Sequence, residues 1–506
     1  MTKQTSALAR MLLLGCAGVA CAATVPVPTV TAVPVTANSF PALANSRNLG
    51  PLDLAKAGYV EEEFLVSGTA NVYDWAADGS LTVKTPNAPY VTRVLVRRPA
   101  AAARFSGLVM VEIPNTARRF DWSMMFGYVN EQLMRQGDAW VLVSMAGSVE
   151  GMKKLNPVRY ASLSFANATP GAPCPGAGKG GPSDQEEGLR WDVLSQVAAA
   201  LKSANTPILG GGRAQYVTMT VQGSDIVTYI NAVHARATLT DGKPVYDGYL
   251  IKNAAAAGKI SQCAAAPARG DARQAIANVN VPVVNVVAEG EVIGSLAMRK
   301  PNSDDPAGRF RQYEIAGAAH IDKNAYDFLP VYADQAAAGG NVQGTPEWPF
   351  AAPCEPAIPL STHPLLKYAF SGAVANLDVW IRKGTAPPKV EPLGVKDAGT
   401  PQATLAADEF GNGVGGVRSP YVDVPTASYF GASPGPGTCR ELGHIVALDA
   451  ARIKALYSDQ KQYAAKVNQS VDRAVKERLF TEADGKKMKA EILALPSVAS
   501  ALGGSR

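Results

Sequence analysis

Histidine is scarce here, with four residues in 506, at positions 234, 320, 363 and 444, so chemistry that needs an imidazole near neutral pH has four candidates. Cysteine is almost as rare. Six occur, and the four beyond the first 21 residues, Cys174, Cys263, Cys354 and Cys439, lie far apart. They lack the close pairs of a zinc site, which leaves no metal centre to be read from them. No apolar run approaches twenty residues, which excludes an integral membrane span. An excess of one charge is missing too: 48 basic and 43 acidic residues are scattered along the chain. Nucleic acid is thereby excluded as a partner, because binding it requires a concentrated basic face. With 47% hydrophobic residues the chain is globular and has ample apolar surface for a core.

The first residues read as a secretory signal peptide, 1–22. Lys3 and Arg10 precede the apolar run Met11 to Ala20, which ends in Ala20-Cys21-Ala22. Both Leu13-Leu14-Gly15-Cys16 and Gly18-Val19-Ala20-Cys21 loosely resemble acylation sites. A lipoprotein is the less favoured alternative, since cutting before Cys16 leaves a very short apolar core and the second site lacks the usual leucine. A periplasmic or secreted protein is therefore expected. In an oxidising compartment the four remaining cysteines read as two disulfides. Three pairings exist. The expected one joins Cys174 to Cys263, both in long loops after strands, and Cys354 to Cys439 in the C-terminal third.

Residues 23–57 are rich in Val, Pro, Thr and Ala and suit an extended entry segment. Phe64 to Ser67, Leu81 to Lys84 and Tyr90 to Arg97 have the composition of strands in an antiparallel edge. After Gly107 short apolar runs alternate with helical patterns. The expected strands are Leu108 to Ile113, Ala139 to Ser144, Tyr216 to Val221, Tyr246 to Ile251, Val281 to Val287 and Arg311 to Ile315. Helices are expected near Trp122 to Arg135, Glu186 to Lys202, Asp225 to Ala237 and Leu365 to Ile381. That alternation implies crossovers and a mostly parallel sheet flanked by helices. Long loops at 147–183 and 252–279 interrupt it. Gly176 to Gly181 surrounds Lys179 with glycines but fails the phosphate-loop pattern, as Gly180 stands where Ser or Thr is needed and Pro173 replaces the first glycine. Residues 426–506 form an irregular linker and a charged, helical C-terminal appendix.

A sheet of this kind presents its ligand at the carboxyl ends of the strands. His320, in Gly317-Ala318-Ala319-His320 just after the strand ending at Ile315, is placed to act as a general base. The other three histidines read as structural or surface residues. Val281 to Val287 runs into Ala288-Glu289-Gly290-Glu291, where Glu291 in particular could orient the histidine as the acid of a triad. A nucleophile should then come from the strand Tyr216 to Val221.

Thr228-Tyr229-Ile230-Asn231-Ala232, Val245-Tyr246-Asp247-Gly248-Tyr249, Tyr313-Glu314-Ile315-Ala316-Gly317-Ala318-Ala319-His320 and Gly415-Gly416-Val417-Arg418-Ser419-Pro420 occur in this order. Together they resemble the α/β-hydrolase domain family of exported bacterial proteins, over about residues 58–425. The resemblance implies an α/β-hydrolase fold, a small-molecule ester substrate and no cofactor. It also implies a Gly-x-Ser-Gln-Ser-like turn before the Thr-Tyr-Ile-Asn helix. Counting back from Thr228 lays Thr218, Met219, Thr220, Val221 and Gln222 over that turn, so Thr220 takes the place of the nucleophile. A β-branched residue fits a strained turn poorly. Ser224 is the alternative nucleophile and reads rather as the N-cap of the next helix. The resemblance places oxyanion donors at Asn115 and Thr116, which follow the strand from Leu108. The expected activity is hydrolysis of a carboxylic ester or related acyl bond, by Thr220, His320 and Glu291. A catalytically degenerate binding protein on a hydrolase scaffold is the alternative.

Overall fold

The computed structural model describes residues 24–503, apart from 37–38, 117–118, 172–173, 175–183, 269, 278, 341–353, 355–360 and 362. The expected signal peptide, with Cys16 and Cys21, and the Gly176–Gly181 stretch lie outside the described residues.

Nine strands form one sheet: β1 Thr29–Ala32, β2 Tyr59–Trp75, β3 Leu81–Pro99, β4 Leu108–Glu112, β5 Ala139–Val143, β6 Tyr216–Gln222, β7 Gly248–Lys252, β8 Val283–Ala288 and β9 Phe310–Ile315. Their order is β1-β2-β3-β5-β4-β6-β7-β8-β9. The pairs from β1 through β3 to β5 are antiparallel, and those from β5 onward are parallel. Every residue of β4, β5, β7 and β8 is buried, as expected of strands covered on both faces. β8 starts later than its apolar run does: Pro282 has no N–H to donate, and the ladder begins at Val283.

The covering helices follow the strands. α1 Phe126–Gln136 comes after β4, α2 Val149–Leu155 and α3 Arg190–Lys202 after β5, α4 Asp225–Thr228 after β6, α5 Glu289–Ser295 after β8, and α6 Lys323–Asp327, α7 Tyr332–Ala337 and α8 Leu365–Lys383 after β9. The single helix expected over Asp225 to Ala237 is divided. After α4 the chain widens into a π turn, Tyr229–Val233, and the His234 N–H donates to the Tyr229 carbonyl at 2.9 Å.

Beyond α8 lie the short α9 Pro420–Asp423 and four helices of the appendix, α10 Ala450–Leu456, α11 Gln460–Lys476, α12 Glu482–Leu493 and α13 Pro496–Leu502. The appendix packs onto α8 at Gly372, where a Cβ would fall 2.1 Å from the Leu479 carbonyl oxygen. Only glycine allows that approach. Polar contacts add to it: Arg135 of α1 pairs with Asp484 at 3.1 Å, and Glu491 accepts from Tyr368 at 2.8 Å and Tyr421 at 2.7 Å. Disulfides join Cys174 to Cys263 and Cys354 to Cys439, with Cα atoms 4.7 and 5.3 Å apart, the pairing expected from the sequence. Among the described residues no helix is long and apolar enough to cross a membrane.

Candidate active site

Parallel strands deliver four polar side chains to one edge. Gln222 and Lys252 are the last residues of β6 and β7 and lie opposite each other in register. Glu291 sits in the first turn of α5, directly after β8, and His320 in the loop after β9. Their side chains form a continuous chain. Lys252 Nζ lies 3.3 and 3.4 Å from the two Glu291 oxygens, His320 Nδ1 is hydrogen-bonded to Glu291 Oε1, and Gln222 Nε2 meets His320 Nε2 at 2.7 Å. Glu291 Oε2 also accepts from the Ala288 N–H at 3.2 Å, which fixes the carboxylate against its own helix start.

The electrostatics follow from burial. Lys252 is wholly buried and Glu291 nearly so. Desolvation alone would push the Glu291 carboxyl upward, but the Lys252 ammonium and the His320 ring outweigh it and hold the carboxyl below its ordinary range. Glu291 therefore stays anionic and accepts the Nδ1 proton, and in the neutral ring that tautomer puts the lone pair on Nε2. Asp322, which caps α6 through bonds from the Asn324 and Ala325 N–H groups, is pushed up to about 6 by burial, with Lys252 among the groups pulling it back.

The other expected residues sit around this chain. Thr220 lies within the β6 ladder, opposite Glu112 and Leu250, and is fully buried. Its Oγ1 has no hydrogen-bond partner among the described residues, and it shares a strand face with Gln222, the residue that meets His320. Ser224 occupies the N-cap position of α4 but makes no side-chain capping bond, contrary to the capping role expected of it. Its Oγ lies 3.3 Å from where a Cβ on Gly258 would stand, and the two residues line a cleft of about 420 Å³ together with Arg190, Asp225, Lys259 and Ser261. Asn115 and Thr116 follow β4, next to β6. The Asn115 N–H donates to the Trp122 carbonyl at 2.9 Å, and the Thr116 carbonyl accepts from the Arg119 N–H at 2.9 Å, so both residues take part in a local turn. Glu289 is structural: its oxygens accept from the Gly317 and Gly431 N–H groups at 2.8 and 3.1 Å.

The remaining histidines are held in packing roles. His234 bonds Tyr249 and Asn280 at 2.8 Å each, His363 stacks on Tyr421 at 4.7 Å, and His444 stacks on Phe430 at 4.4 Å. A separate cavity of about 270 Å³, between Asp192, Arg236 and Thr24–Pro26, shares no lining residue with the polar chain.

Sequence reasoning missed Gln222 and Lys252. A signal was present, since each is a long polar residue closing an apolar strand at the edge where ligands bind.

No curated protein matches the sequence. Among solved structures, esterase Est22 is similar at 10% identity and a TM-score of 0.31, over 57% of this chain and 83% of that one. A fungal esterase from Rhizomucor miehei is similar at 11% identity and a TM-score of 0.28, over 56% and 81%. A family model described as the alpha/beta hydrolase domain matches residues 24–490, and the chain belongs to that family.

Proposed function

We propose that the protein is an exported hydrolase of carboxylic esters or related acyl bonds, with His320 as general base and Glu291 as the acid that orients it. The hydrogen bond from His320 Nδ1 to Glu291, backed by Lys252, carries this reading. It commits one ring nitrogen to the carboxylate and leaves Nε2 to take a proton. The attacking oxygen is that of water, because Thr220, which the family resemblance lays over the nucleophile's position, is fully buried in its strand, and Ser224, the alternative nucleophile, lies against Gly258. For Nε2 to take a proton, the Gln222 amide that stands on it must leave. Water then adds to the ester carbonyl while its proton passes to Nε2, and Glu291 stabilises the imidazolium. As the intermediate collapses, the bond to the alkoxide breaks and the same proton moves to the leaving oxygen.

A panel of chromogenic esters with short and medium acyl chains tests the proposal. The parent should release product, and His320→Ala and Glu291→Gln should each lose on the order of 10²–10⁴ in rate. Full turnover by His320→Ala would overturn the assignment.

A second reading, a binding protein on a hydrolase scaffold, is favoured by Gln222, whose amide stands on the nitrogen a nucleophile would use. If the parent is silent across the panel while esters or their acids raise its melting temperature, this reading replaces the first. Export is supported by the two disulfides, which suit an oxidising compartment. N-terminal sequencing of protein from the periplasm or medium should begin near Ala23, and recovery of a chain retaining Met1 from the cytoplasm alone would refute export.

A further inference from the structure

A serine-type hydrolase holds its nucleophile at the tip of a strand-to-helix turn, on a strained residue whose side chain projects over the sheet edge. Between β6 and α4 the residue with a positive φ is Gly223, at +117°. Apart from Gly223 itself and its chain neighbours Gln222 and Ser224, no described atom lies within 4 Å of the point where a Cβ at 223 would stand. The neighbouring Gln222 places its amide 2.7 Å from His320 Nε2, the nitrogen that in a triad receives the nucleophile's proton. Neither of the two nearby hydroxyls is bonded to His320. Thr220 is enclosed in the ladder before the turn, and Ser224 lies past it, facing Gly258.

We infer that the nucleophile's position in this protein is Gly223, that Gln222 takes the hydroxyl's place against His320, and that the site handles acyl compounds without ever forming an acyl-enzyme. The inference rests on the ester-directed reading above and narrows it. A carboxamide nitrogen cannot substitute for the missing oxygen, since its lone pair is delocalised into the carbonyl. The space before Gly223 is then open to the substrate's own carbonyl.

A fluorophosphonate probe tests this, because it reports a nucleophile whether or not any ester is turned over. The parent should remain unlabelled. The double variant Gln222→Ala with Gly223→Ser frees Nε2 and supplies the hydroxyl, and it should be labelled at residue 223. There the serine oxygen forms the bond to phosphorus, the P–F bond breaks, fluoride leaves and the hydroxyl proton goes to His320 Nε2. Adding His320→Ala should abolish the labelling. Gln222→Ala with Gly223→Ala carries the same backbone strain without the hydroxyl, and it should remain unlabelled. A parent labelled on Thr220 or Ser224, located by peptide mass, overturns the inference while leaving ester hydrolysis standing. A double variant that is folded by circular dichroism yet unlabelled also overturns it. Should that variant fail to fold, the parent's labelling decides alone. Silence of the parent on the ester panel refutes hydrolysis and leaves these labelling outcomes unaffected.

Discussion

Gln222 and Lys252 face each other in register across β6 and β7, and their side chains close the same polar chain from opposite ends, Gln222 on His320 and Lys252 on Glu291. The sheet's spacing thus sets the length of the chain between them.

Lys252→Met keeps the aliphatic stem and removes the ammonium, leaving Glu291 buried without its main counter-charge. The loss should be about 3–5 kcal/mol, the usual cost of breaking a buried pair from one side. Urea unfolding measures it. Adding Glu291→Gln should recover a large part of that loss, and strictly additive effects would show that the pair is not coupled.

Thr220→Val removes a buried hydroxyl that has no partner among the described residues. Stability should rise by about 1 kcal/mol, with turnover unchanged. A folded Thr220→Val protein that has lost all turnover would instead identify Thr220 as the attacking residue.

Ser224→Ala should change stability by less than about 0.5 kcal/mol, since the side chain makes no capping bond; a capping serine would cost about twice that. A thermal melt at constant pH distinguishes the two.

The hold of α1 on the appendix should weaken in acid. Glu131 of α1 is bonded to Lys367 at 2.7 Å and to Lys487 of α12. Burial would raise its carboxyl, but the two ammonium groups outweigh that and hold it at about 2, against an ordinary 4.5. A depressed carboxyl stabilises the fold fully above its unfolded value, and the contribution fades as pH falls from about 4.5 toward 2. Protease cleavage within α12 should increase over that window, and Glu131→Gln should flatten the dependence.

The parallel half of the sheet was legible in the sequence because strands buried on both faces are written as unbroken apolar runs. The antiparallel edge was legible only in fragments. β2 and β3 run unbroken for 17 and 19 residues, through stretches whose acids and arginines disguise a strand. Cross-strand pairs such as Glu61 with Arg97, directly opposite and 2.8 Å apart, hold those polar residues in the ladder. His320 and Glu291 could be found because each follows a recognisable strand. Gln222 could not be found by spacing. Counting back from Thr228 without a gap falls on Thr220, inside the ladder, whereas the turn is set by the backbone of Gly223, which residue intervals do not record. The division of the helix at Tyr229 was hidden for a similar reason, since α and π turns share their apolar pattern over so short a span.

At Gly372 the backbone of α8 is so close to Leu479 that nothing larger than hydrogen fits between them. That contact makes the C-terminal helices a thermodynamic part of the sheet's own helical cover. A change of composition near residue 425 invites the reading of a detachable tail, but melting α11 and α12 would strip a bare stretch of α8 and the aromatic rings beside it. Calorimetry of the whole chain should therefore give one cooperative endotherm, and a fragment ending at 425 should behave as a chain cut through its core.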